Sequence, residues 1–193
     1  MAKTGKFGNE INNTTFGLDG TIRLNGTATV WEDLNFAPNS SGGNPTTLPD
    51  YVTINGVVHR EFTSANNQVC GDNHELPHNY KLGSVLNPHT HIFLKSGESA
   101  GTTGVVFTMN WELRQGTGTT SGTTTLSATS NQLTANPHKI DIYNGSFAGS
   151  NTLGGQLSLN LARTGGNAGD VIVLTYGIHY EIDSIGSNEM TTK

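Results

Sequence analysis

The chain of 193 residues has one cysteine, Cys70, so no internal disulfide can form. A reducing site of synthesis fits that. Charge is scarce as well: 13% of residues are charged, against roughly 25% in a typical domain. Lys and Arg do not cluster and the net charge is -5. Phosphate neutralisation therefore has no basis, and no nucleic-acid partner is expected. No basic amphipathic stretch and no run near the roughly 18 apolar residues of a span are present, so no membrane partner is expected either. Residues 1–13 lack the apolar core of a secretory signal. No internal repeat stands out, which argues against a solenoid or propeller.

The apolar fraction is 33%, below the roughly 45–50% of an ordinary domain. Gly, Thr, Asn and Ser fill the difference. Thr favours strands and the other three favour turns, so the composition points to β-structure with many loops. Residues 1–19 are polar, with Phe7, Ile11, Phe16 and Leu18 spaced apart. They read as an extended N-terminal arm: either loose, or an anchor whose four apolar groups contact a partner. Residues 20–193 read as one β-sandwich domain.

Strands are expected at 21–25, 27–33, 85–95, 139–143, 157–162 and 171–183. In the last, Ile172, Leu174, Tyr176, Ile178, Tyr180 and Ile182 would share one face. Residues 51–62 read as a hairpin turning at Asn55-Gly56. Residues 104–115 alternate clearly, with Phe107, Met109, Trp111 and Leu113 on one side. Residues 37–49 read as a surface loop and 65–84 as mostly irregular. Residues 116–130 read as a flexible loop or an exposed polar strand. No helix is expected. Eight or nine strands with irregular loops suggest an all-β, antiparallel β-sandwich, jelly-roll-like.

Seven histidines are the main chemical feature. His89-Thr90-His91 lies on an expected strand, where residues i and i+2 share a face, so both imidazoles can reach one metal. Ile92 and Leu94 face the other way. The segment partly resembles the first motif of the cupins, metal-binding jelly-roll proteins: Gly83 stands correctly before His89 and His91. The carboxylate that should follow is displaced to Glu98. The second motif's proline is absent near His179. Two ligands are too few for a catalytic site. Other readings are a site shared on the axis of a trimer, and two histidines that simply pack and hydrogen-bond on a sheet.

Other chemistry is thin. No nucleophile elbow and no phosphate loop occur. Glu32 with Asp33, or Glu181 with Asp183, read as a glycosidase pair or as solvated carboxylates, and two acids so close on a strand suit the solvated reading better. Asp72, His74 and His78 sit in an expected loop and read as a cation site or as ordinary loop groups, and the second suits them better. Trp31, Trp111, Tyr176 and Tyr180 are core aromatics or a glycan platform, and core suits their apolar neighbours better.

Three blocks carry a resemblance. The first runs from Gly20 to Ala28-Thr29-Val30-Trp31-Glu32-Asp33-Leu34. The second is Leu76-Pro77-His78-Asn79-Tyr80 leading to Leu86-Asn87-Pro88-His89-Thr90-His91. The third is the closing run, residues 178–193, starting Ile178-His179-Tyr180. Together they resemble a family of tailed-phage and prophage virion structural proteins. In that family the second block is typically followed by Trp, where this chain has Ile92. The resemblance implies a non-enzymatic virion component on a β-sandwich, a homo-oligomer and often a trimer, assembled in the host cytoplasm. It implies no catalytic residues and no cofactor.

The leading expectation is a capsid decoration or head-fibre protein that binds other virion proteins, of capsid or tail, through its N-terminal region. The alternatives are a tail or fibre module recognising a host surface glycan, and a metal-dependent cupin enzyme.

Overall fold

The computed structural model describes residues 5–17, 21–28, 30–38, 47–65, 68–116, 118–135, 140–143 and 145–185. Strands come in the order β1 (Gly5–Gly8), β2 (Asn13–Phe16), β3 (Ile22–Asn25), β4 (Val30–Phe36), β5 (Asp50–Ile54), β6 (Val57–Phe62), β7 (Val69–Glu75), β8 (Val85–Leu94), β9 (Val105–Gln115) and β10 (Gly118–Ala128). A short helix α1 (Ser130–Ala135) precedes β11 (Ile140–Tyr143), β12 (Phe147–Ala148), β13 (Gln156–Gly166), β14 (Val171–Ile182) and β15 (Ser184–Ile185).

All named strand pairs are antiparallel. One sheet runs β10-β9-β13-β7. The facing sheet has β14 at its centre, with β8 and then β11 on one side and β4 on the other. β6 shares that second side with β4, pairing the first residues of β14, and carries β5 outside it. The orders β4-β14-β8-β11 and β7-β13-β9-β10 are those of a jelly roll: successive strands cross between two sheets, and only β9 and β10 remain together as a hairpin.

Alternation builds the core. Phe107, Met109 and Leu113 of β9 and Leu157, Leu159 and Leu161 of β13 are fully buried against Leu86 and Ile92 of β8 and Tyr176 and Ile178 of β14. β14 does not alternate without a break. Its register against β8 shifts between Val173 and Thr175. Val171 and Val173 therefore face the core before the bulge, and Tyr176, Ile178, Tyr180 and Ile182 face it afterwards. Ile172 and Leu174, expected on that face, are not part of the core cluster.

Other expectations are met or corrected locally. Asn55 and Gly56 both take positive φ, 51° and 81°, as a tight hairpin turn requires. The polar stretch 118–128 is a strand, paired residue by residue with β9. Its Gly122 faces the Trp111 ring, which a Cβ would meet at 2.6 Å. β7 lies where irregular chain was expected. Its residues opposite the buried leucines of β13 are Cys70, Asp72 and His74, a polar set that hides the strand. The helix was also unexpected. Thr129 and Gln132 cap it reciprocally: the Gln132 side chain accepts from the Thr129 amide at 2.8 Å, and the Thr129 hydroxyl accepts from the Gln132 amide at 3.4 Å. The fifteen named strands exceed the expected eight or nine, because short pieces and a third sheet were not anticipated. Much of the 37–49 loop lies outside the described residues.

That third sheet, β1-β2-β3-β15, holds the segment expected as an extended arm. Its β1–β2 hairpin is fixed by asparagines. Asn9 Oδ1 accepts from the Ile11 and Asn12 amides, Asn12 Oδ1 accepts from the Thr27 amide, and Asn25 Nδ2 donates to Asn13 Oδ1. Polar bonds order the hairpin, so its apolar side chains stay outside.

One buried charge ties the loops to the sandwich. Arg163 is fully buried and donates to the carbonyls of Phe62 (3.0 Å), Gly169 (2.8 Å) and Ala168 (2.5 Å). Removing the guanidinium leaves these acceptors unmet. Arg163→Met should lower stability by about 3 kcal/mol in urea unfolding, since each unmet buried acceptor costs about 1–3 kcal/mol; a loss below about 0.5 kcal/mol would contradict this role.

Candidate functional site

The outer face of the larger sheet carries the chemistry. On β14, core residues alternate with Gly177, His179 and Glu181. On β8 the outward positions are Asn87, His89, His91 and Phe93. The ladder sets Gly177 opposite His89 and His179 opposite Asn87. On the other side of β14, Asp33 of β4 lies directly opposite His179, and Trp31 opposite Glu181. Gly177 lets β4 approach this closely, because a Cβ there would meet the Leu34 carbonyl oxygen at 2.2 Å.

These registers gather three groups. The His89 and His179 rings stack with centroids 4.1 Å apart and an interplanar angle of 24°. The Asp33 carboxylate stands in close contact with His179 Nδ1. Asp33, His89 and His179 each offer a ligand atom within 4.8 Å of the other two. His89 is fully buried, and neither ring nitrogen completes a hydrogen bond of good geometry. Burial, followed by the neighbouring His179 and His91, lowers its pKa to about 4, with Asp33 and the Asn87 backbone pulling the other way. Its imidazole is therefore neutral near pH 7, the form that ligates metals.

Beside the cluster, Trp31, Asn87, Gly145 and His179 line a pocket of about 530 Å³. Trp31 is 51% exposed. The other three aromatics of that group are accounted for inside: Tyr176 and Tyr180 are buried, and Trp111 stacks on Phe147 at 4.2 Å.

The expected His89–His91 pair is only half of this arrangement. The rings are neighbours, 4.9 Å apart and edge-on at 70°. Among the described residues, however, the three-ligand group contains His179 and Asp33 and not His91. Glu98, the displaced cupin carboxylate, lies on the loop beyond β8 against Gly169.

The remaining candidates disperse. Glu32 faces away from Asp33, as neighbours on a strand do, and accepts from the Tyr180 hydroxyl at 2.9 Å. Glu181 pairs with Lys81 at 2.6 Å. His74 lies 3.5 Å from Asp72 and His78 3.3 Å from Glu75, so this trio is two separate contacts and not one cation site. Cys70 is buried and its thiol is pushed up to about 12, which makes it inert.

The hairpin residues expected to touch a partner lie in the third sheet. Phe7 and Ile11 are 73% and 76% exposed, and Phe16 is partly covered by Phe7, edge-on at 6.1 Å. Ile185 of β15 is exposed in the same sheet. Leu18 lies outside the described residues. Among the described residues, no helix is long and apolar enough to cross a membrane.

No protein-family model and no curated protein matches the chain. Among solved structures, dimeric latent PorU from Porphyromonas gingivalis aligns with 80% of this chain at 14% identity and a TM-score of 0.37. The chain spans 13% of the length of that protein. A non-crystalline cellulose specific carbohydrate-binding module, CBM28, aligns with 80% of this chain and 85% of its own length, at 11% identity and a TM-score of 0.34. Neither likeness bears on the Asp33–His89–His179 cluster.

The burial of His89 makes stability depend on pH. Its folded pKa of about 4 lies below the ordinary 6.5. Across that window the unfolded chain holds the proton and the native chain does not, so stability is complete above it and falls as pH drops through it. The loss attributable to His89 is on the order of 3 kcal/mol. In chelator, His89→Gln should flatten the urea midpoint against pH between 6.5 and 4; equal slopes for the two proteins would contradict the assignment.

Proposed function

We propose that the chain is a non-enzymatic structural protein of a bacteriophage virion, a capsid decoration or head-fibre component attached through its N-terminal hairpin. The observation that carries this reading is the exposed apolar set Phe7, Ile11, Phe16 and Ile185 on a sheet that adds little to the core. Large apolar side chains exposed together mark interaction sites. Among the described residues β1 pairs with β2 alone, so its outer edge can accept a strand from another virion protein. The resemblance at the Ala28–Leu34, Leu76–His91 and 178–193 blocks supplies the virion context. The jelly roll then projects its Thr- and Ser-rich β10 into solvent. Several copies, as in a trimer, would turn a modest affinity per hairpin into firm attachment.

A second reading is favoured by Trp31. An exposed indole beside Asn87 and His179 suits the apolar face of a sugar ring with hydroxyls bonded at its rim. A host surface glycan would then be the ligand.

The two readings separate by mutation. Phe7→Ser with Ile11→Ser should leave a folded, cooperative sandwich and lower binding to particles lacking this protein by at least tenfold. Unchanged particle binding would refute the hairpin attachment. Trp31→Ala should leave particle binding intact; if it alone abolishes adsorption to host cells, the glycan reading is preferred.

A further inference from the structure

We propose that Asp33, His89 and His179 bind one divalent transition-metal ion of the zinc class per chain. The site stands apart from the hairpin and holds whether or not that hairpin attaches the protein to a particle.

Three observations converge. First, the donor set is two imidazole nitrogens and one carboxylate, borne by three adjacent strands β4, β14 and β8. Strands of a packed sheet hold ligands more rigidly than loops do. Second, His89 is fully buried; the Asn87 backbone stands near its ring, but neither ring nitrogen completes a hydrogen bond of good geometry. A buried polar group without a partner costs several kcal/mol in an apolar medium, so such a group calls for an explanation. A metal ion supplies it: one nitrogen gains a bond that burial in this sheet otherwise denies. Third, the Asp33 carboxylate already stands against His179 Nδ1. A carboxylate oxygen and an imidazole nitrogen therefore converge on one spot beside His89, as two ligands of one ion must.

The spacing is compatible with closure. Ligand atoms about 2.0–2.1 Å from a tetrahedral zinc stand about 3.4 Å from one another. The three groups here lie within 4.8 Å. The His89 and His179 rings stack nearly parallel, at 24°, so both nitrogens reach one ion only after His179 turns out of the stack. The side chains of Asp33 and His179 are both more than a third exposed, which leaves room for that turn. His89 is the fixed point. Nitrogen and carboxylate donors with no thiolate suit zinc over copper(I). Three protein ligands leave the fourth position to water or to a group from outside the chain. The pocket formed with Trp31, Asn87 and Gly145 shares His179, so an occupant there lies next to the ion.

The full chain, stripped with chelator and equilibrated with zinc sulfate, should retain close to one zinc per chain by elemental analysis. Cobalt(II) in its place should give the intense visible bands of a four-coordinate ion. Asp33→Asn and His179→Gln, both at partly exposed positions, should weaken zinc at least tenfold while the metal-free Tm stays within a few degrees of the parent. His91→Ala should still hold one zinc. Zinc below about one tenth per chain would overturn the proposal, as would a ratio near one third, the signature of an ion shared by three copies. Undiminished binding by Asp33→Asn and His179→Gln would overturn it equally.

Discussion

Strand β14 is the constraint on which the rest depends. It lies between β8 and the β4/β6 pair, and its bulge between Val173 and Thr175 sets which side chains point where. Before the bulge the valines face inward; after it the tyrosines and isoleucines do. Because side chains alternate, a one-residue slip would send Tyr176 and Ile178 to the outer face and His179 into the core. The same register that buries Tyr176 places His179 outward between His89 and Asp33. Core packing and the histidine cluster are therefore consequences of one alignment.

A division of labour follows. The sandwich holds its polar chemistry on one sheet face, at the junction of three strands. The apolar surface available for attachment lies elsewhere, on a small sheet ordered by asparagine side chains. Arg163 closes the opposite loops by satisfying three backbone carbonyls. Burial of that guanidinium lowers its pKa, but the bonds it makes keep it serviceable as a charged clamp.

Much of this was legible in the sequence where the signal is local. Asn55-Gly56 marked its hairpin, and the alternation from Phe107 to Leu113 marked both β9 and its buried face. Signals failed where tertiary context decides. β7 puts Cys70, Asp72 and His74 opposite leucines, so its inward face does not look apolar; His74 is accommodated edge-on against Phe36 at 4.4 Å. The helix spans too few residues to show a period, although Thr129 and Gln132 spelled out its cap. The bulge in β14 has no sequence mark, so continuous alternation put Ile172 and Leu174 on the wrong face. His89 was legible as a candidate ligand. Its companions were not, because Asp33 and His179 come from distant parts of the chain and meet only through the β4–β14–β8 register. The N-terminal segment looked like an arm because its order comes from Asn9, Asn12, Asn13 and Asn25, residues that usually signal turns.

If the β1–β2 hairpin attaches the protein to a particle while the sandwich stands free, a reconstruction of the intact particle with this chain in place should show it. Phe7, Ile11 and Phe16 should be buried against a neighbouring protein, with the outer face of β4, β14 and β8 in solvent. A hairpin standing in solvent, with the outer face of β8 and β14 seated on the particle, would contradict it.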